Sequence, residues 1–309
     1  MDYNLKLIDI NLRDPFILPD NGKYYLYGTK GSAIFGESDC FPVYVSEDLE
    51  NWSEPKIVFK KHLGFWGTKN FWAPEVHKYN EKYYMFASFK SNTACRGTQI
   101  LVSDRPDGEL VPLTDEPITP RDWECLDGTL YVDKNGKPYV VFCHEWLQVH
   151  DGEMCALELT EDLKQTIGEP ILLFKASEPS WADKNRIDFV TDGPFLYKTE
   201  SGRLLMIWSS GANGNYVEAV SYSDNGEITG NWKHCDKLIF EKDGGHGMIF
   251  DDFTGQKYLV LHSPNIPGRE NPALFEIIER NEMLELKKAY REKFGKRFMP
   301  FNYADFDRI

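Results

Sequence analysis

The sequence predicts an all-β protein, a five-bladed β-propeller with four-stranded antiparallel blades around a central axis and a short C-terminal extension. Three observations lead there. A strand–turn–strand pattern recurs five times, and further strand-like segments follow most recurrences. The composition, with 14% aromatics, 24 glycines and 17 prolines, suits short strands joined by tight turns better than helices.

The pattern is clearest in the run from Leu126 to Phe142. Apolar positions alternate on both sides of Asp133 to Gly136, which supplies the turn chemistry, and Asp127 stands at the mouth of the first strand. The first hairpin runs from Asp14 to Leu18, turns at Asp20 to Lys23 and returns through Tyr24 to Thr29. The second runs from Ala73 to His77 and returns through Tyr83 to Ala87. In the fourth, Asp192 to Leu196 turns at Glu200 to Arg203 into Leu204 to Trp208. In the fifth, His246 to Phe250 turns at Thr254 to Lys257 into Tyr258 to His262.

The hairpins start at 14, 73, 127, 192 and 246, and second hairpins such as Val43 to Trp52 and Leu157 to Leu163 follow within the units. Outer strands such as Pro55 to Phe59 and Pro170 to Phe174 come next. Five units of roughly 60 residues therefore fill a single domain spanning 1–309. The segment from Leu5 to Ile10 is expected to lend a strand to the last blade and close the ring, which removes exposed edges. The tail 276–309, with a charged helical stretch from Asn281 to Glu292, reads as an extension outside the ring.

A net charge of −14 argues against nucleic-acid and anionic-membrane partners, which need a basic surface. No apolar run reaches the roughly 18 residues of a bilayer span. The first residues lack the basic start and apolar core of a secretion signal, and the six cysteines contain no Cys-x-x-Cys pair. The expectation is a reduced, disulfide-free, cytoplasmic protein; a chain whose signal had been removed would read the same. Oligomeric state leaves no trace in the sequence.

In a propeller the first strand of every blade lines the axis, so its first residue projects into one shared mouth. Here those residues are Asp14, Ala73 with Glu75 close by, Asp127, Asp192 and His246. An aspartate before Pro or Gly is ordinary turn chemistry taken singly. Recurrence at one repeat position is harder to dismiss, because clustered carboxylates repel and are rarely assembled without a use.

The runs Leu12-Arg13-Asp14-Pro15-Phe16, Trp72-Ala73-Pro74-Glu75, Leu126-Asp127-Gly128, Asp192-Gly193-Pro194 and Gly245-His246-Gly247 together resemble glycoside hydrolase family 43 over about residues 10 to 265. The resemblance implies an inverting glycosidase of the β-xylosidase or α-L-arabinofuranosidase type, releasing pentosyl units from plant-derived oligosaccharides. It implies Asp14 as the base that activates water, and Asp127 as the residue that orients the acid and raises its pKa. The family's acid is a glutamate before Gly-Pro, where this chain has Asp192, one methylene and about 1.5 Å shorter.

Three acids therefore stand as alternatives. Asp192 serves if the strand shifts, Glu145 sits in Cys143-His144-Glu145-Trp146 at the end of a strand returning to the mouth, and Glu124 lies in Trp123-Glu124-Cys125. With none of them active, the chain would be a catalytically weak carbohydrate-binding propeller. The resemblance also places His246 on the axis, where family members hold a calcium or sodium ion; the chemistry itself requires no cofactor. Trp72, Trp146, Phe35, Trp66 and Trp208 are candidate sugar-stacking aromatics, Glu75 is a candidate substrate ligand, and Arg186, Arg269 and His262 are candidate hydroxyl contacts. Loops from Phe35 to Phe41 and from Lys90 to Thr98 are long enough to wall a pocket, which would favour cleavage at chain ends.

Overall fold

The computed structural model describes residues 3–30 and 39–287. They form a five-bladed β-propeller with antiparallel blades, each entered from its innermost strand. Blade two is built from Lys69–Tyr79, Lys82–Lys90, Gly97–Ser103 and Val111–Pro112. Blade three comprises Cys125–Val132, Pro138–His144, Glu153–Leu159 and Thr166–Lys175, and blade four Asp192–Lys198, Leu204–Ala212, Asn215–Ser223 and Trp232–His234. The last comprises Gly245–Asp251, Lys257–Ser263, Asn271–Arg280 and Met283–Leu286.

Blade one departs from four strands. Its third strand, Cys40–Ser46, pairs both with Asn51–Ser53 and with Lys56–Lys60. The N-terminal strand Tyr3–Lys6 pairs with Asn51–Ser53 of this same blade and not with the last blade, contrary to expectation. The ring closes instead through hydrogen bonds. The Asn271 side-chain amide donates to the Ile8 and Ile10 carbonyls, and the Leu12 amide donates to the Glu270 carbonyl. Residues 276–286, expected outside the ring, belong to the third and fourth strands of blade five. The Met283–Leu286 edge is four residues with one charge, Glu285, too short for its pattern to exclude a helix, and tertiary pairing decides between the two.

The second strand of each blade is buried on both faces because a neighbouring blade packs on each side. Pro138–His144 and most of Leu204–Ala212 therefore read as apolar runs rather than alternating ones. Aromatic layers fill the space between blades, as in the edge-to-face pair of Phe41 from blade one and Phe89 from blade two, 5.7 Å between centroids. All six cysteines are free, with Cys125, Cys143 and Cys155 buried.

One irregularity repeats in every blade. The innermost strand carries a bulge near its start, and the residue at its apex has positive φ: Asp14, Ala73, Asp127, Gly193 and His246, all between 45° and 56°. Bulges re-aim side chains, and those of Asp14, Asp127 and His246 face one cleft. Blade four places Gly193, not Asp192, at the apex, so Asp192 stands one residue earlier than the sequence alignment of repeats implied.

Candidate active site

The bulges converge on a cleft of about 670 Å³ lined by residues from all five blades. Asp14, Asp127, Asp192 and His246 face it, with Glu145 on the rim of blade three. Gly193 is the one apex without a side chain, and a Cβ there would lie 2.7 Å from the His246 ring. Close passage of the blade-four backbone over His246 is thus what requires glycine.

Each apex amide is held by the preceding blade. Thr29 Oγ1 accepts from the Ala73 amide at 2.7 Å, Ser88 Oγ from Asp127 at 2.9 Å and Ser209 Oγ from His246 at 2.6 Å. His262 Nδ1 accepts from the Asp14 amide at 3.2 Å, which requires a neutral imidazole. Burial holds the His262 pKa well below the ordinary value, with the Arg13 charge acting in the same sense.

Burial pushes the Asp14 carboxyl up, but the charges of His246, Arg13 and His262 and a 2.7 Å hydrogen bond from Thr29 outweigh it and leave the pKa lowered. Arg13 is the dependable member of that set, since burial keeps both histidines neutral while arginine stays charged. Its guanidinium lies 3.4 Å from Asp14 and 3.0 Å from Glu270. Asp192 moves the other way. Burial raises it to about 7, with Arg13 opposing, Asp14 and Glu145 adding repulsion, and Tyr216 donating a 3.1 Å hydrogen bond. Asp127 is raised well above its usual range by burial and by repulsion from Asp192 and Asp14. The cleft floor therefore combines an ionised carboxylate, Asp14, with carboxyls that retain a proton near neutrality.

Glu145 is buried, and its Oε2 lies 3.3 Å from Arg96 Nε; the Arg96 guanidinium stacks on Trp72, 3.9 Å from the ring centroid. Glu124 is not part of the cleft lining. Burial raises it, but Lys90 and the Arg96 amide outweigh that and hold it ionised, an unsuitable state for an acid. Trp72 and Trp146 line the cleft as expected, both half-buried.

Glu75 does not line the cleft: the bulge turns it inward, where its carboxylate meets His77 at 3.1 Å. Phe35 lies outside the described residues. Trp208 is fully buried between blades three and four against Phe174 and Trp181, and Trp66 packs on Phe65 and Phe89. Arg186 and Arg269 are exposed and absent from the lining, and His262 serves as the Asp14 amide acceptor.

Reading the sequence missed Arg13, Arg96, Tyr216 and Asn265, which line the cleft. Arg13 was visible beside Asp14 in the motif. Nothing local marks Arg96 or Tyr216, whose partners lie 49 and 24 residues away.

His246 directs Nδ1 at Asp14, 3.3 Å away, and its Nε2 is buried without a hydrogen-bond partner. Among the described residues no group of three or more His, Cys, Asp or Glu side chains converges as a direct cation cage would require. This bears only on a cage built of side chains and not on an ion held through water at His246, and no catalytic step below involves one.

A propeller whose axis presents an ionised and a protonated carboxyl in one cleft, flanked by tryptophans, has the machinery of a glycosidase. The chain belongs to that class by descent as well: the pattern of Glycosyl hydrolases family 43 matches residues 7–281, and the chain is a member of this family. An endo-arabinase from Bacteroides thetaiotaomicron superposes with a TM-score of 0.84 at 39% identity, over 91% of this chain and 99% of that one. An extracellular endo-α-(1→5)-L-arabinanase of Bacillus subtilis is 28% identical over 145 residues, 44% of each chain. Xylosidase/arabinosidase 43A of Humicola insolens is 25% identical over 152 residues, 45% of this chain and 46% of that protein. The matched stretches span under half the length of these two curated relatives.

Proposed function

We propose that the chain hydrolyses α-L-arabinofuranosyl linkages in arabinan-type oligosaccharides with inversion at the anomeric carbon. The observation that carries this reading is the split in protonation across the cleft floor, Asp14 lowered and Asp192 raised to about 7. Asp192 donates its proton to the glycosidic oxygen as the C–O bond breaks, Asp14 takes a proton from water, and that water bonds to the anomeric carbon from the opposite face. Asp127 lies beside both, and burial together with repulsion from Asp192 and Asp14 keeps its own proton in place. Trp72 and Trp146 offer apolar faces to sugar rings.

The choice of arabinose rests on the 39% identical endo-arabinase and the B. subtilis endo-arabinanase. Release of terminal pentosyl units and internal cleavage differ in the products formed. A second reading, a carbohydrate-binding propeller of low activity, is favoured by aspartate at the position where the family's acid is glutamate.

The test compares an aryl α-L-arabinofuranoside, an aryl β-xyloside and linear arabino-oligosaccharides, with product anomers followed by proton NMR. Wild type is expected to cleave both arabinosides and form the β anomer first. Asp14→Ala loses about 10³-fold or more on every substrate, as removal of a catalytic group does. Asp192→Asn loses far more on oligosaccharide than on the activated aryl glycoside, which needs little protonation. Glu145→Gln leaves that ratio unchanged. Retention of configuration overturns the mechanism, preference for the xyloside overturns the substrate, and binding without cleavage establishes the second reading.

A further inference from the structure

The ring of apex amides has one exception. The acceptors Thr29, Ser88, Ser209 and His262 occupy the same register position, directly across from the residue before the apex in their own blade. The fifth member of the set is Cys143, paired with Leu126. Its thiol is fully buried and is kept neutral by burial, and a neutral thiol is a weak acceptor. The amide it would receive, that of Gly193, goes instead to Asp127 Oδ2 at 3.0 Å.

We propose that Cys143 is a positioning residue: by leaving the Gly193 amide without a local acceptor, it makes the Asp127 carboxylate hold the blade-four strand that carries Asp192. The other four blades tie their apex to an uncharged side chain, and only here does a cleft carboxylate serve. Asp192 is bonded directly to Gly193, so this hydrogen bond fixes where the shortened acid stands over the cleft. Asp127 thereby acts on the acid through backbone geometry. The argument rests on the assignment of Asp192 as the acid.

A serine at 143 would restore the ring. Thr191, whose buried hydroxyl lies within hydrogen-bonding reach of the thiol, can take the serine's proton and leave a lone pair for the Gly193 amide. Ser209 already combines both roles, accepting from His246 and donating to Glu218. Cys143→Ala offers no acceptor and should leave Asp127 in place.

The experiment uses the full chain, labelled with 15N-glycine, as wild type, Cys143→Ser and Cys143→Ala. The expected result is a Gly193 amide resonance displaced in Cys143→Ser and unmoved in Cys143→Ala. Relative to the aryl arabinofuranoside, kcat/KM on arabino-oligosaccharide falls about tenfold in Cys143→Ser and is unchanged in Cys143→Ala, because only the natural leaving group needs a well-placed acid. A purely structural role lowers both substrates together. An unmoved amide in Cys143→Ser, or equal displacement in Cys143→Ala, overturns the proposal, and the alanine arm retains this force even when the serine variant does not fold. A displaced amide with an unchanged ratio overturns the link to Asp192. Absence of hydrolysis by wild type, with the amide behaving as expected, places the failure in the catalytic assignment and not in the hydrogen-bond exchange.

Discussion

With Asp14 as the proposed base and Asp192 as the proposed acid, Arg13 shifts both limits of the pH range in which the two hold opposite charge. It opposes the effect of burial on Asp14 and on Asp192 alike. The base must be ionised, so activity is lost as pH falls through the Asp14 value; the acid must be protonated, so activity is lost as pH rises through the Asp192 value, about 7. In Arg13→Met burial acts unopposed by this charge on both groups, and both limbs of the kcat/KM profile should move to higher pH. A profile that stays in place, or moves toward acid, would mean that Arg13 does not govern these two groups. Glu270, which faces Arg13 and has one buried oxygen without a partner, makes some loss of stability an expected companion of the shift. Arg13→Lys, keeping a charge, should move the limbs less.

At the scale of the strand, the bulge is the device that turns the start of a β-hairpin toward the cleft. Four of the five apices carry a Cβ in spite of positive φ, a strain tolerated because the amide ring holds each one. Gly193→Ala adds a contact with the His246 ring and left-handed strain in a single step. The expected cost is about 2 kcal/mol or more of stability together with a fall in kcat, since the strand bearing Asp192 must retreat. Thermal unfolding and oligosaccharide kinetics of this variant check both, and an unchanged kcat would separate the apex from the acid.

The bulge also explains what the sequence disclosed and what it withheld. Five hairpins were legible because alternation and turn residues are local signals, and Asp14, Asp127, Asp192, Trp72 and Trp146 all reach the cleft. Bulge register is set by blade-to-blade packing, so Asp192 aligned with Asp14 although Gly193 is its true counterpart, and Glu75 appeared to face the site when it points inward. The Met283–Leu286 edge strand is short and charged and carries too little periodicity to be distinguished from a helix. The Arg96–Glu145 pair joins two blades and has no signal within either.

At the scale of the whole molecule, the closed ring buries carboxyls that an unfolded chain would ionise. Glu218, fully buried in blade four, accepts hydrogen bonds from Ser209 and the Gly247 amide, yet burial raises it to about 8 from an ordinary 4.5. A raised folded value means that the native state binds the proton more tightly. The stability it contributes is complete below the ordinary carboxylate range and is lost as pH rises through about 8. The difference is worth on the order of 5 kcal/mol. Asp192 acts in the same sense up to about 7, whereas Asp14 and the histidines, with lowered values, act in the opposite sense on the acid side. Glu218→Gln keeps an acceptor for Ser209 and Gly247 and cannot ionise. Its Tm should therefore decline less than that of wild type between about pH 5 and 8. The difference between the two Tm profiles cancels the histidines and isolates this one group. Parallel profiles would mean that Glu218 is ionised in the folded ring, its charge balanced by its hydrogen bonds in spite of burial.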